Sequence, residues 1–159
     1  MGIEQLGAWG EFIGGIAVLG GLVFVGVQLL GANREARAAT IQSALEMQLM
    51  VDTELARYAD TWNKVVSNQT IEDDSERRRA IILFNLVITL TENRHYQFQA
   101  GFLDSSSWEA SLETLPKLLA CDVSVDWRDS PGAATHTIDY LNLIDSIMEK
   151  NSGRPEQRN

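Results

Sequence analysis

A run of 20 uncharged residues near the N-terminus, from Phe12 to Gly31, constrains this chain more than any other feature of its sequence. The run reads FIGGIAVLGGLVFVGVQLLG, and its one polar side chain is that of Gln28. As an α-helix, such a run is about 30 Å long, which is the thickness of the hydrocarbon core of a bilayer. Only a helix or a closed barrel satisfies the backbone in lipid, and one segment cannot close a barrel. The run therefore predicts a transmembrane helix surrounded by membrane lipid.

Two alternatives to a membrane helix remain open for this run. A signal peptide has a basic segment before an apolar core of about 7–15 residues, whereas the first 33 residues of this chain contain no Lys or Arg. The triplet Ala36-Arg37-Ala38 resembles a cleavage site but lies in a charged stretch beyond the apolar core. The other alternative is a buried core helix, which rarely contains so many consecutive uncharged residues.

The charges that flank the run predict its orientation. Arg34 and Arg37 follow it, and no basic residue precedes it. By the positive-inside rule, the C-terminal part of the chain lies in the cytoplasm and residues 1–11 form a short extracytoplasmic N-terminus.

Small residues inside the run predict a surface for helix packing. On a helix that turns 100° per residue, one narrow face carries Gly10, Gly14, Ala17, Gly21 and Gln28. Small side chains let two helix backbones approach closely, and a glutamine in the contact can form a hydrogen bond across it. We interpret this face as a helix-packing interface with a second copy or with another transmembrane protein. The abundance of glycine in membrane helices is the alternative explanation.

The remainder of the chain has helical periodicity, so the predicted fold is all-α: a transmembrane helix that continues into a cytoplasmic helical bundle. The predicted parts are the membrane helix at 12–31, the bundle at 32–150 and a flexible tail at 151–159. Residues 80–90, AIILFNLVITL, are too short to cross a bilayer and are expected to form the central core helix.

Several boundaries within the bundle follow from capping and turn residues. An apolar stripe at Ile41, Ala44, Leu45 and Leu49 predicts that the first helix is amphipathic beyond the membrane. Asp52 and Thr53 are expected to cap a second helix, and Ser106 with Glu109 has the spacing of a capping box. The acidic segment at 70–76 predicts the start of a third helix, and Gly101 predicts its end. Residues 123–133 are expected to be irregular, and the last helix is expected at about residues 135–150.

Composition and side-chain chemistry point away from an enzyme. A net charge of −9 argues against a nucleic-acid partner, and the one cysteine, Cys121, excludes an intramolecular disulfide or a multi-cysteine metal site. Glu92 and His95 have the Glu-x-x-His spacing of di-iron bundles, but half of that ligand set is missing. We therefore expect no catalytic residue, no cofactor, no metal and no small-molecule substrate, and a Glu92/His95 metal enzyme is the less favoured reading.

Three sets of residues between positions 12 and 148 form a recognisable layout: VFVGVQLLGANREARAATIQ at 23–42, TELAR at 53–57, and the set Glu92, Tyr96, Gln97, Phe98, Gly101, Leu103, Asp104, Trp108 and Trp127. This layout resembles that of uncharacterised small bacterial single-pass membrane proteins that have no assigned activity. The resemblance implies an integral protein of the bacterial inner membrane with a helical domain, and it implies no activity.

Together these patterns predict a membrane-anchored, non-enzymatic helical interaction module that self-associates as a homo-oligomer. The alternative function is an accessory subunit of a larger membrane protein complex.

Overall fold

The computed structural model describes the backbone of residues 3–152 and the side chains of residue 12 and residues 14–152. Within this range the regular structure is entirely helical, and no strand lies in it. The helices are α1 at Ile3–Arg57, α2 at Ala59–Val66, α3 at Asp74–Gln99, α4 at Ser105–Leu118, α5 at Asp122–Arg128 and α6 at Ile138–Ser152, with a 3₁₀ turn at Ala133–Thr135. The chain forms two compact units, Met1–Gln42 and Ser43–Asn159. The all-α prediction with a long apolar N-terminal helix is confirmed.

Helix α1 continues through the position where a second helix is predicted to begin. Asp52 and Thr53 do not cap a helix, because Asp52 accepts a hydrogen bond from Gln48 and Thr53 donates to the carbonyl of Leu49, one turn back in each case. The break comes at Tyr58, whose backbone leaves the helical region. The boundary predicted at residues 52–53 is therefore wrong by about one and a half turns.

Helix α3 begins and ends at residues with clear local signals. The Asp73 carboxylate accepts a hydrogen bond from the backbone amide of Glu76 at 2.6 Å, which satisfies one free amide of the first turn. At the other end Gly101 has a φ of +73°, and the amide of Phe102 donates to the carbonyl of Gln97. A glycine takes up this left-handed conformation without strain, so the predicted stop at Gly101 is confirmed.

Helix α4 is capped by Asp104 and not by the predicted pair Ser106 and Glu109. The Asp104 carboxylate accepts from the amide of Ser107 at 2.9 Å and from its hydroxyl at 2.8 Å. A hydrogen bond from the Ser106 hydroxyl, together with these two bonds from Ser107, holds the pKa of Asp104 well below its usual range. Pro116 lies in the last turn without ending the helix, which continues to Leu118.

The segment predicted to be irregular contains α5, a helix of seven residues. Its first free amide, that of Asp122, donates to the side chain of Asn68 at 2.8 Å, so the cap comes from a residue 54 positions away. Val123 and Trp127 lie one turn apart and are both buried. Helix α6 begins at Ile138, three residues later than predicted, because Ala133–Thr135 forms the separate 3₁₀ turn.

The core of the second unit is built around α3, which packs against α2, α4 and α5, while α4 packs against α6. The largest fully buried side chains are those of Trp127, Tyr140, Phe84, Ile88, Leu115, Ile144 and Val65. The central position predicted for residues 80–90 is confirmed, although Ile82 within this segment is 62% exposed.

Ion pairs tie the helices of this unit together. Lys64 on α2 pairs with Glu76 on α3, Arg77 on α3 pairs with Asp126 on α5, and Arg128 on α5 makes a bidentate pair with Asp145 on α6. Because these pairs are partly exposed, each contributes little to stability on its own. Because charge-assisted hydrogen bonds depend on geometry, these three ion pairs favour the observed arrangement of the helices over others.

Candidate functional site

The apolar run of α1 is exposed along its described length. Phe12 and residues 14–31 are all exposed, and the window that makes α1 apolar enough to cross a membrane is 0% buried. The core helix of a soluble protein is mostly buried by its neighbours. The structure therefore does not support the core-helix alternative, and α1 is a helix that by length and composition could span a membrane.

The residues of the predicted helix-packing interface have no cover within the described part of the chain. Ala17 and Gln28 are exposed, and a Cβ atom added at Gly14 or Gly21 would meet nothing within 4 Å. The surroundings of Gly10 lie outside the described residues. The face is open to another helix, and its role as an interface stays a prediction.

The last part of α1, within the second unit, has one face on the bundle and one face open. Val51 is buried, the Met47 sulfur accepts a hydrogen bond from Asn93, and Gln48 accepts one from Arg94. On the open side Leu45 and Leu49 are 65% and 69% exposed. Leu45 and Leu49, which belong to the apolar stripe seen in the sequence, therefore lie on the open side of this helix.

A polar cluster lies where the connection between α5 and α6 meets α3; it consists of Asn85, Glu92, Trp127, His136 and Thr137. One oxygen of the Glu92 carboxylate accepts from the amide and the hydroxyl of Thr137, both at 2.8 Å. The other oxygen lies 2.6 Å from Nδ1 of His136. The second ring nitrogen of His136, Nε2, lies 3.1 Å from Oδ1 of Asn85, which also accepts from the indole of Trp127 at 2.8 Å.

Hydrogen bonding in this cluster controls the charge on Glu92. Partial burial alone would raise the pKa of Glu92, but hydrogen bonds from Thr137 and His136 outweigh burial and lower the pKa below its usual value. Glu92 is therefore a carboxylate at neutral pH. Since His136 is buried and both of its nitrogens face partners inside the protein, we interpret the pair as structural.

The backbone at Gly132 lies close to the side chain of Asn85, and the lack of a side chain at Gly132 leaves room for this cluster. A Cβ atom at this position would lie 3.0 Å from Oδ1 of Asn85. That oxygen is the acceptor shared by Trp127 and His136. A side chain at residue 132 would therefore require the Asn85 side chain to shift by a few tenths of an ångström, although the backbone angles of Gly132 are helical and suit any residue.

Glu92 and His95 do not pair in the way that the less favoured metal-enzyme reading requires. Both line an open groove of about 480 Å³, but Glu92 is engaged by His136 and Thr137, while His95 packs on the rings of Trp108 and Tyr140. Among the residues that the structure describes, no group of three or more His, Cys, Asp or Glu side chains could hold a metal ion.

Cys121 is a buried thiol at the start of α5. Burial raises the pKa of the Cys121 thiol, and the nearby charge of Asp122 raises it further. A thiol in this environment stays protonated and unreactive at neutral pH.

The polar cluster was not predicted from the sequence, because its hydrogen-bonded partners are separated by up to 51 residues. One general signal points toward it: an internal histidine and a core tryptophan each carry polar nitrogens that require partners when buried. That signal predicts that partners exist and does not identify Asn85 and Glu92.

Comparisons of the chain with protein families, with curated proteins and with solved structures found no match.

Proposed function

We propose that this protein is a single-pass membrane protein whose helical bundle is a non-enzymatic interaction module, and that it self-associates through its membrane helix. The observation that carries the proposal is that residue 12 and residues 14–31 of the apolar run are all exposed. Exposed apolar surface on this scale is unfavourable in water, and a lipid bilayer removes the penalty. The resemblance to small bacterial membrane proteins supports a location in the bacterial inner membrane.

The proposed topology places the bundle in the cytoplasm. Arg34 and Arg37 follow the apolar run and support this orientation by the positive-inside rule. A reporter that fluoresces only in the cytoplasm, fused after Asn159, is expected to be active, whereas a reporter that works only in the periplasm is expected to be silent. Activity of the periplasmic reporter alone would reverse the orientation.

Self-association is proposed to use the face that carries Gly14, Ala17, Gly21 and Gln28. In a membrane, helices associate by close packing and not by the hydrophobic effect, because lipid tails are as apolar as the side chains. The open space around Gly14 and Gly21 would let a second helix backbone approach to within contact distance.

Replacing both Gly14 and Gly21 with leucine is therefore expected to reduce association of the full chain. The matched control replaces both Gly15 and Gly20 with leucine. These two glycines lie off the predicted face and have equally open surroundings. The measurement is native mass spectrometry of protein extracted from membranes in mild detergent. Species at multiples of 17.7 kDa are expected for the unmodified chain and the control, with a shift toward the single chain for the Gly14/Gly21 variant.

Two results would count against this arrangement. Equal association of both double variants would remove the glycine face from the interface. A stoichiometric second protein in place of self-association would favour the alternative function, an accessory subunit of a larger membrane complex.

A further inference from the structure

The open side of α1 within the second unit carries two leucines that the described part of the chain leaves largely uncovered. Leu45 and Leu49 are 65% and 69% exposed, and they lie one turn apart on the same face of the helix. The other side of this stretch contacts the bundle through Met47, Gln48 and Val51. Large apolar side chains aligned on an otherwise open helix face favour burial against a partner.

With the apolar run placed in a bilayer, lipid does not reach these leucines. Leu45 lies 14 residues beyond Gly31 on the same helix, which is about 21 Å of helical rise. The headgroup layer on each side of a hydrocarbon core is only about 5–8 Å thick. An anionic lipid surface also repels a chain whose net charge is −9. The cover that remains for Leu45 and Leu49 is another protein surface.

The spacing along the sequence relates these leucines to the face proposed for self-association. Starting at Gly14, alternating steps of three and four residues pass through Ala17, Gly21 and Gln28 and arrive at Leu45 and then Leu49. Every position that these steps reach is exposed. This alternation is the repeat of left-handed coiled coils, and membrane helices most often cross with the same geometry. The leucines therefore share one helical register with the glycine face.

Polar side chains recur within this register every seven residues, at Gln28, Glu35 and Gln42. In two parallel helices at the same height, each of them faces its own counterpart. A polar residue at such a position specifies parallel pairing in one register, at some cost in stability. Arg34 immediately precedes Glu35 and lies at a flanking position, from which it can pair with the Glu35 carboxylate of a second copy. Copies inserted in one orientation are already parallel and at equal depth.

We propose that Leu45 and Leu49 are covered by the same residues of a second copy, in a short parallel coiled coil outside the bilayer. This inference rests on the proposed function, a single-pass protein that self-associates through its membrane helix. The two sides of α1 in the second unit then have separate roles. Met47 and Val51 hold the bundle of their own chain, and the two leucines hold the second copy.

Disulfide cross-linking of the full chain in native membranes tests this pairing. Leu45→Cys and Leu49→Cys place thiols where two helices of a coiled coil approach most closely, and a disulfide requires such an approach. Mild oxidation is expected to give a linked species at twice 17.7 kDa for each variant. The matched controls are Ser43→Cys and Met50→Cys, which are also exposed on this part of α1 but lie outside the register. They are expected to give only the background of the unmodified chain, whose Cys121 is buried.

Three results of this experiment would overturn the proposal. They are equal linkage at the leucine and control positions, linkage at none of the four, and linkage of the leucine positions to a different protein. Native mass spectrometry of the unmodified chain then separates the two levels of inference. A homo-oligomer without linkage at Leu45 or Leu49 refutes the coiled coil alone, whereas a single chain refutes the proposed self-association as well.

A second measurement uses charge in place of a cross-link. The double variant Leu45→Asp with Leu49→Asp removes two apolar contacts and places carboxylates opposite each other, so the dissociation constant in detergent is expected to rise at least about tenfold. Ser43→Asp with Met50→Asp adds the same charge outside the register and is expected to leave the dissociation constant unchanged. Sedimentation in mild detergent measures both variants, and equal dissociation constants would contradict the pairing of the two leucines.

Discussion

Replacing Trp127 with alanine is expected to lower the free energy of unfolding of the bundle by about 3–5 kcal/mol, the range for deleting a large buried aromatic side chain. Trp127 is fully buried, and its ring lies 5.6 Å from that of Phe84 and 5.5 Å from that of His136. The variant loses this contact area and also the indole hydrogen bond to Asn85. Urea unfolding of the full chain in mild detergent, followed by circular dichroism, measures the change.

Val125 on the same short helix provides the control for that substitution. It is 56% exposed, so Val125→Ala is expected to change the free energy of unfolding by less than about 0.5 kcal/mol. Equal stabilities of the two variants would show that α5 does not insert Trp127 into the core.

Replacing Leu22 and Val23 together with aspartate is expected to prevent stable insertion of α1 into a membrane. Both residues lie at the middle of the apolar run. An aspartate at the centre of a membrane helix costs about 2.5–3.5 kcal/mol, so the pair costs about 5–7 kcal/mol. In flotation of cell membranes through a density gradient, the unmodified chain is expected to rise with the lipid and the variant to remain at the bottom.

The control for insertion uses two residues that are equally exposed but lie beyond the run. Leu45 and Leu49 are as exposed as Leu22 and Val23, yet they follow a stretch that contains Arg34, Glu35 and Arg37. With aspartate at residues 45 and 49, the chain is expected to float like the unmodified protein. Flotation of the Leu22/Val23 variant would mean that the apolar run is not what holds the chain at the membrane.

Structural features that depend on residues adjacent in the sequence were predictable from the sequence alone. The long apolar helix follows from 20 uncharged residues, the start of α3 from its acidic first turn, and its end from Gly101. Each signal acts within about one helical turn, or repeats along one helix, so no knowledge of the tertiary fold is needed.

The errors occur where a distant residue provides the partner, or where a capping side chain has a second partner within its own helix. The cap of α5 comes from Asn68 in the connection after α2. Since local sequence does not reveal that bond, the segment after Cys121 was interpreted as irregular. Asp52 and Thr53 have the side chains of a helix start but instead bond one turn back within α1. A capping residue indicates what is possible locally, and packing of the surrounding chain decides between the possibilities.

The apolar surface of α1 and the polar cluster differ in the same way: the first depends on one segment, and the second depends on residues that are distant in the sequence. The apolar surface of α1 can be read from composition and period, since both its length and its lack of charge are properties of one segment. The pairing of Glu92 with His136 depends on how α3 meets the connection before α6. Sequence places Glu92 nearest to His95, three residues away, yet the fold pairs it with a histidine 44 residues distant. Hydrogen bonding inside a core depends on the position and direction of each atom, and only the packed structure determines both.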